Sequence, residues 1–374
     1  MALILGDGFD HYPTALVLGK WDAANGHTIS NTYGRLGTQG CYIFNTGFSI
    51  IGQGGLSKNM PGNAGVGFFG VAFFIPSMPI SGFMNVFALY DAAGGSAMHM
   101  SVMIGADGSI GVGSYAIGNS TGILNMYASS ASALVVAGTW YYLEVKAKIN
   151  SVSGIIEVRL NETVVLTYSG NTRRGASNGG AGITVSAADY FNNVKVGGYL
   201  TTGSGAGMYF DDFYYCDDTV TAADPNNFSY LGDVQLQAIY PRAASVSGWT
   251  IAGSSPAPTN YQSVNEHSPD DAVTFVKTSV IGIDDLYLMD PVSATTNGIK
   301  GLLCNGRLTK DDATARTYTL LVKSGATIGE VAIRTVPTGG YVNQQNPMAL
   351  NPNTSLAFTV AEVNALSGGI RSKS

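Results

Sequence analysis

From Gly65 to Tyr90 the chain runs 26 positions without a charged side chain. A stretch this apolar either crosses a membrane as a helix or lies buried as strands. A spanning helix needs about 20 consecutive apolar residues, and here Pro76 and Pro79 cut the run while Gly67, Gly70, Ser77, Ser81, Gly82 and Asn85 dilute it. Proline inside a helix removes a hydrogen bond and clashes with the preceding turn. The segment therefore reads as two buried strands, 66–75 and 83–90, joined by a proline turn, and no membrane insertion is expected.

The rest of the chain follows the same logic. Helical periodicity is nearly absent, and β-branched and aromatic runs alternate with clusters of Gly, Asn, Asp and Ser, which specifies an all-β chain. Runs at 98–104 and 109–115 flank Gly105-Ala106-Asp107-Gly108, a hairpin turn. From 140 to 149, Tyr142, Glu144, Lys146 and Lys148 alternate with Tyr141, Leu143, Val145 and Ala147. Residues 155–160 return in the same manner after a turn at 151–154, and Asn161-Glu162 leads into 163–168. One face of this meander should be wet and the other should meet a second sheet, as in a sandwich.

Charged residues make up 12% of the chain, against about a quarter in ordinary globular proteins. Hydrophobic residues make up 45% and 49 positions are glycine, so the chain can bury a large core. At 374 residues two domains are expected, because single cores stop growing near about 250–300 residues. A surface so poor in charge fits a subunit covered by neighbours in a large assembly. The net charge of −6 argues against a nucleic-acid partner, which requires a clustered basic footprint; Arg173-Arg174, the one adjacent basic pair, reads as a solvated turn. Cys41, Cys216 and Cys304 are odd in number, widely spaced and without a CxxC pair. They form neither a disulfide framework nor a zinc site and read as buried free thiols of a protein assembled in a reducing cytosol. Residues 1–7 lack the basic region and long apolar segment of a secretion signal.

Three motifs in order carry a family resemblance. Gly8-Phe9-Asp10-His11-Tyr12 is followed by Lys20-Trp21 and Tyr33-Gly34-Arg35-Leu36-Gly37; a central hairpin occupies 140–160; and Tyr209-Phe210-Asp211-Asp212-Phe213-Tyr214-Tyr215 closes the series. Residues 1–216 thereby resemble the concanavalin A-like jelly rolls common in virion proteins of tailed bacteriophages. The resemblance implies that the closing strand pairs beside the first. Glu162 stands in a turn where many relatives carry Gly or Asp.

Residues 217–231 are polar, carry Pro225 and have no periodicity, so they read as a linker. A second, smaller β-sandwich domain is expected over 232–374, with strands near 232–241, 275–280, 285–289, 299–304, 317–323, 330–335 and 355–359 and one short helix at 361–366. Gly232-Asp233-Val234, Gly248-Trp249, Asn260-Tyr261, Asp270-Asp271 and Asp284-Asp285-Leu286-Tyr287 are similar to a small β-domain recurring in phage virion proteins.

A glycosidase needs two carboxylates flanking the scissile bond, and the related glucanases place them at alternate positions of one strand. The six Glu, at 144, 157, 162, 266, 330 and 362, have no acidic residue two positions away, and Glu157 and Glu162 would face opposite sides of a continuous strand. Gly118, Ser120 and Gly122 match a nucleophile elbow, but no helix pattern follows them. His11, His27, His99 and His267 lack ligand spacing. Asp pairs at 211–212, 217–218, 270–271, 284–285 and 311–312 occur in no D-x-D-x-D-G loop, a poor ligand pattern for the roughly six to eight oxygens of a structural or glycan-linked Ca2+, which stays the lesser alternative. They read as solvated turns and edge protection, and alternation should point Asp211 and Asp212 to opposite faces. Phe68-Phe69 and Phe73-Phe74 read as core, while Trp21 or Tyr-rich loops could stack a sugar.

No catalytic, metal or cofactor residue is assigned, and no enzymatic activity is expected. The resemblance implies a structural component of a tailed-phage particle (tail, baseplate or exterior capsid), assembled in the host cytoplasm among other virion subunits and as a homo-oligomer. A glycan- or receptor-binding adhesion module with a host-surface glycan as partner is the alternative, and a polysaccharide hydrolase the third reading.

Overall fold

The computed structural model describes residues 2–44, 55–91, 97–115, 124–173, 188–198, 207–217, 229–293, 296 and 298–374. The chain is all-β, a jelly-roll sandwich followed by a smaller β-sandwich. The first sheet contains β1 (Ala2–Asp7), β3 (His27–Ser30), β4 (Gly40–Ile43), β6 (Val66–Phe74), β11 (Trp140–Lys148), β12 (Gly154–Leu160), β13 (Thr163–Gly170) and β15 (Met208–Asp217). Its order is β13-β12-β11-β6-β15-β4-β3, with β1 added against β15. The second sheet contains β2 (Ala23–Asn25), β5 (Gly55–Ala64), β7 (Phe83–Asp91), β8 (Ala97–Gly105), β9 (Ile110–Tyr115), β10 (Leu124–Ser129) and β14 (Phe191–Val196), in the order β10-β9-β8-β7-β14-β5-β2.

The smaller sandwich is built on a sheet of β16 (Pro241–Ser247), β19 (Asp284–Met289), β21 (Thr317–Ser324), β22 (Thr327–Glu330), β23 (Arg334–Thr335) and β25 (Ser367–Ser372). Two ribbons accompany it, β17 (Thr250–Ala252) with β18 (Phe275–Lys277) and β20 (Leu302–Leu308) with β24 (Val342–Met348). The helix α1 (Val360–Asn364) starts at a capping box, in which Thr359 and Glu362 satisfy each other's backbone N–H groups.

Antiparallel pairing of β1 with β15, Leu3 opposite Cys216 and Asp7 opposite Phe213, joins the first and last strands of the jelly roll. The core lies between its two sheets, where Phe69 packs against Phe87 at 4.5 Å, Tyr215 at 4.8 Å and Phe191 at 5.7 Å. Burying each such ring contributes about 1.5–3 kcal/mol. Gly70 is required by packing, because a Cβ there would stand 2.0 Å from the Tyr214 ring.

The outer face of the first sheet is where the sequence expectations need correction. Tyr142 and Glu144, expected in water, are buried. Residues 230–236 lie across them: Leu231 N–H donates to Tyr214 Oη at 3.1 Å, Gly232 N–H to Glu144 Oε1 at 2.9 Å and Leu236 N–H to Asp212 Oδ1 at 2.7 Å. This explains why no strand forms before Pro241, since the Gly232 and Leu236 N–H groups are taken by carboxylates instead of a neighbouring backbone. Tyr230 and Leu231 join Leu3, Phe68, Tyr142, Tyr214 and Cys216 in one apolar cluster with Leu303 of β20. Gln345 of β24 exchanges two hydrogen bonds of 2.9 Å with the Gly6 backbone. Elsewhere the expected strand at 299–304 is shifted to β20, and 355–359 makes only a bridge at Ala357 before the helix cap.

Candidate functional site

Strands that carry two aromatic residues in succession place one ring on each face. In β15, Phe210 enters the core and Tyr209 faces outward; in β6, Phe73 enters and Phe74 faces outward; in β11, Tyr141 is buried and Trp140 half-buried. Phe74 is therefore not the core residue that its neighbour suggests. The pairing register aligns the outward rings, with Tyr42 of β4 opposite Tyr209, Tyr209 opposite Phe74, and Phe74 opposite Trp140. Centroid separations along the row are 4.8, 5.4 and 5.6 Å. Tyr33 stacks on Tyr209 at 5.0 Å and also meets Tyr42 at 5.4 Å, while Phe44 extends the cluster at 5.7 Å from Tyr42.

The turn that carries Tyr33 is held by close approach. A Cβ on Gly40 would lie 2.5 Å from the Tyr33 carbonyl oxygen, so only glycine lets this turn fold down on β4. The same turn exposes Leu36, whose φ of 59° is a left-handed conformation uncommon for leucine. All six rings are half-buried. Their hydroxyls, on Tyr33, Tyr42 and Tyr209, are not engaged by any other described residue. Burial, then the Tyr42 and Tyr33 hydroxyls beside it, raise the Tyr209 phenol above its ordinary pKa. The cluster therefore offers apolar ring surface together with three grouped hydroxyls, the combination that amphipathic ligands require.

Trp21 cannot serve as a sugar platform. It is buried, near-parallel to Phe9 at 6.5 Å and close to Phe213 at 5.5 Å, and its Nε1–H donates to Asp7 Oδ2 at 2.7 Å. Asp7 also accepts from Tyr12 Oη, from the Phe9 N–H at 2.9 Å and from Lys20 Nζ at 3.0 Å. Burial alone would raise the Asp7 carboxyl, but Lys20, His11 and these donors outweigh it and hold it below its usual range. Burial, reinforced by Lys20, pushes His11 down to about 3. The opening motif thus forms a closed polar knot inside the fold.

Asp211 and Asp212 do not point to opposite faces. A bulge between Asp211 and Tyr214, with Asp212 at φ 51°, turns both carboxylates toward the Arg35 turn. Arg35 N–H donates to Asp211 Oδ2 at 2.8 Å, its guanidinium reaches Asp212 Oδ2 at 2.9 Å, Asp233 Oδ1 at 2.5 Å and the Val234 carbonyl at 2.8 Å, and it lies 5.1 Å from the Tyr142 ring centre. Burial, then Asp212, pushes Asp211 up to about 9, and burial pushes Asp10 up to about 7, with Asp212 and Asp7 adding to it. Two other Asp pairs have a buried member, Asp285 and Asp217, whereas Asp311 is exposed as expected. Asp285 is buried and accepts from Asn260 Nδ2, Gly248 N–H and Tyr287 Oη, and Asp217 accepts from Tyr215 Oη.

Each glutamate has a structural partner: Glu144 with Tyr214, Glu157 with Arg159, Glu162 with the Asp233 N–H, Glu266 with Thr274, Glu330 with Arg371 and Lys373, and Glu362 with Thr359. Among the described residues no group of three or more His, Cys, Asp or Glu is arranged to hold a metal. Gly118, Ser120 and Gly122 lie outside the described residues. Arg173 forms an ion pair with Asp189 at 3.5 Å. Cys41 and Cys216 are buried and Cys304 half-buried, and none of the three is in a disulfide.

No family model matches this chain, and no curated protein matches it by sequence. Solved structures do resemble it. A cellulose-induced protein, Cip1, matches at 13% identity and a TM-score of 0.39, over 58% of this chain and 99% of its own. A GH43 protein from Bacillus licheniformis matches at 15% identity and 0.35, over 57% of this chain and 39% of its own. A family 7 alginate lyase in complex with substrate matches at 12% identity and 0.31, over 52% of this chain and 79% of its own. The expectation of no enzymatic activity is corrected by this finding, because the neighbours include enzymes by name, the alginate lyase and a Trypanosoma rangeli sialidase, at low identity and over part of each chain.

Proposed function

We propose that the jelly roll holds a surface glycan on the row of Tyr42, Tyr209, Phe74 and Trp140, with Tyr33 and Phe44 beside it. The observation that carries this reading is the alignment of outward rings on four adjacent strands beside three hydroxyls with no described partner. A sugar ring presents C–H faces and hydroxyl edges, and an aromatic surface with free phenols matches both. Stacking on rings costs little ordering because the strands already fix their backbones.

The chain does this as an exterior subunit of a tailed-phage particle, assembled in the host cytoplasm among other virion subunits and copies of itself. The motifs at 8–12, 33–37 and 209–215 and the low charge content support that placement. On this reading residues 1–216 carry the glycan and 232–374, joined through 217–231, anchor the subunit. A glycan array probed with the full chain and with Tyr209→Ala tests the binding. Signal on surface polysaccharides that falls in the variant supports it, and no signal from a folded wild-type chain overturns it. Mass spectrometry of purified particles tests the placement, and absence of the chain from them sinks it.

A further inference from the structure

We infer that the ligand of this row is a linear, uncharged polysaccharide, bound through at least three consecutive rings laid across the strands. The inference rests on the glycan-binding reading above and narrows it to a substrate class.

Two observations carry it. The first is length. The row crosses β4, β15, β6 and β11, three strand spacings of about 4.8 Å each, with its rings 4.8, 5.4 and 5.6 Å apart. One pyranose unit of an extended chain is about as long as one strand spacing, so successive sugars meet successive rings. A compact branched epitope would touch one end of the row and leave the rest wet.

The second is charge. The described residues adjoining the ring-bearing ends of these strands, 44, 75–82, 130–139, 197–198 and 207–208, include no Asp, Glu, Lys, Arg or His. Arg35, in the turn that follows Tyr33, commits its guanidinium to Asp212, Asp233 and the Val234 carbonyl. The cations that stand over aromatic rings among the described residues cover Tyr12, Tyr142, Phe68, Tyr230 and Tyr341, none of them in the row. A uronate or sialate would meet no counter-charge here, whereas a neutral chain needs only ring contact and hydroxyl exchange.

Titration calorimetry with the full chain tests this, using neutral cello-, xylo- and manno-oligosaccharides of one to six rings beside oligomers of alginate, polygalacturonate and polysialate. The trimer of at least one neutral series should bind about tenfold or more tighter than its monomer, with little gain beyond four rings. That affinity should be insensitive to salt and fall about tenfold or more in Trp140→Ala and in Tyr209→Ala, each checked for native circular dichroism. Preference for the acidic oligomers, or salt-sensitive binding, would overturn the inference while leaving glycan binding intact. Equal affinity for monomer and hexamer would overturn the length argument. Failure of every oligosaccharide to bind, with the fold intact, would remove both this inference and the reading beneath it.

Discussion

Removing the Arg35 guanidinium should destabilise the protein far more than its single position suggests. The side chain is 12% exposed and its partner Asp212 3%, at 2.9 Å. Deleting one member of a pair this buried leaves the other charge uncompensated, at a cost of about 3–5 kcal/mol. The second partner, Asp233, is 45% exposed, so its share is under about 1 kcal/mol. Burial already raises the Asp212 carboxyl above its ordinary pKa, so a proton can relieve part of the loss, and the low end, about 3 kcal/mol, is expected for Arg35→Met. Urea denaturation should show a lower midpoint with an unchanged slope. The double variant Arg35→Met with Asp212→Asn should recover about 2 kcal/mol relative to the sum of the single changes. A loss below about 1 kcal/mol for Arg35→Met, or strict additivity, would refute the assignment of Arg35 as the staple between the sheet and residues 233–236.

Asp10 gives a pH dependence of defined sign. Its folded pKa, about 7, lies above the ordinary 3.8, so its contribution is fully present below about pH 4 and is lost as pH rises through 7; the urea midpoint should fall between about pH 4 and 7 and level off above, and Asp10→Asn should flatten that fall. Gly70→Ala forces a methyl to within 2.0 Å of the Tyr214 ring and should cost about 3 kcal/mol or prevent folding, read by thermal denaturation. Cys216 is buried in the cluster that Leu231 and Leu303 complete, so its thiol should be silent to Ellman's reagent in the full chain and react in a fragment ending at Asp217.

Much of the architecture was legible in the sequence because jelly-roll strands declare themselves by composition and turn residues. The runs at 66–75, 83–90, 140–149 and 155–160 match β6, β7, β11 and β12 to within one or two positions. What the sequence concealed depends on distant partners. Nothing in Tyr142 or Glu144 indicates that residues 230–236 will cover them, and the bulge that turns Asp211 and Asp212 together arises from pairing with β6. The candidate site was half visible. The doublets Phe73-Phe74, Trp140-Tyr141 and Tyr209-Phe210 announce one outward ring each, but only the register shows that these rings align. Trp21 misled because an isolated tryptophan in a polar context gives no hint of the buried carboxylate that receives its N–H.

The most direct test of the aromatic row uses the chain's three tryptophans. Replacing Trp21 and Trp249 with Phe leaves Trp140 as the only indole, at the end of the row. Titrating this variant, after circular dichroism has shown it folded, with an oligosaccharide that the wild type binds should shift Trp140 emission to shorter wavelength and protect it from iodide quenching, in a saturable manner that tracks the calorimetric affinity. Calorimetric binding with no change in Trp140 emission or quenching would place the glycan elsewhere and contradict the account.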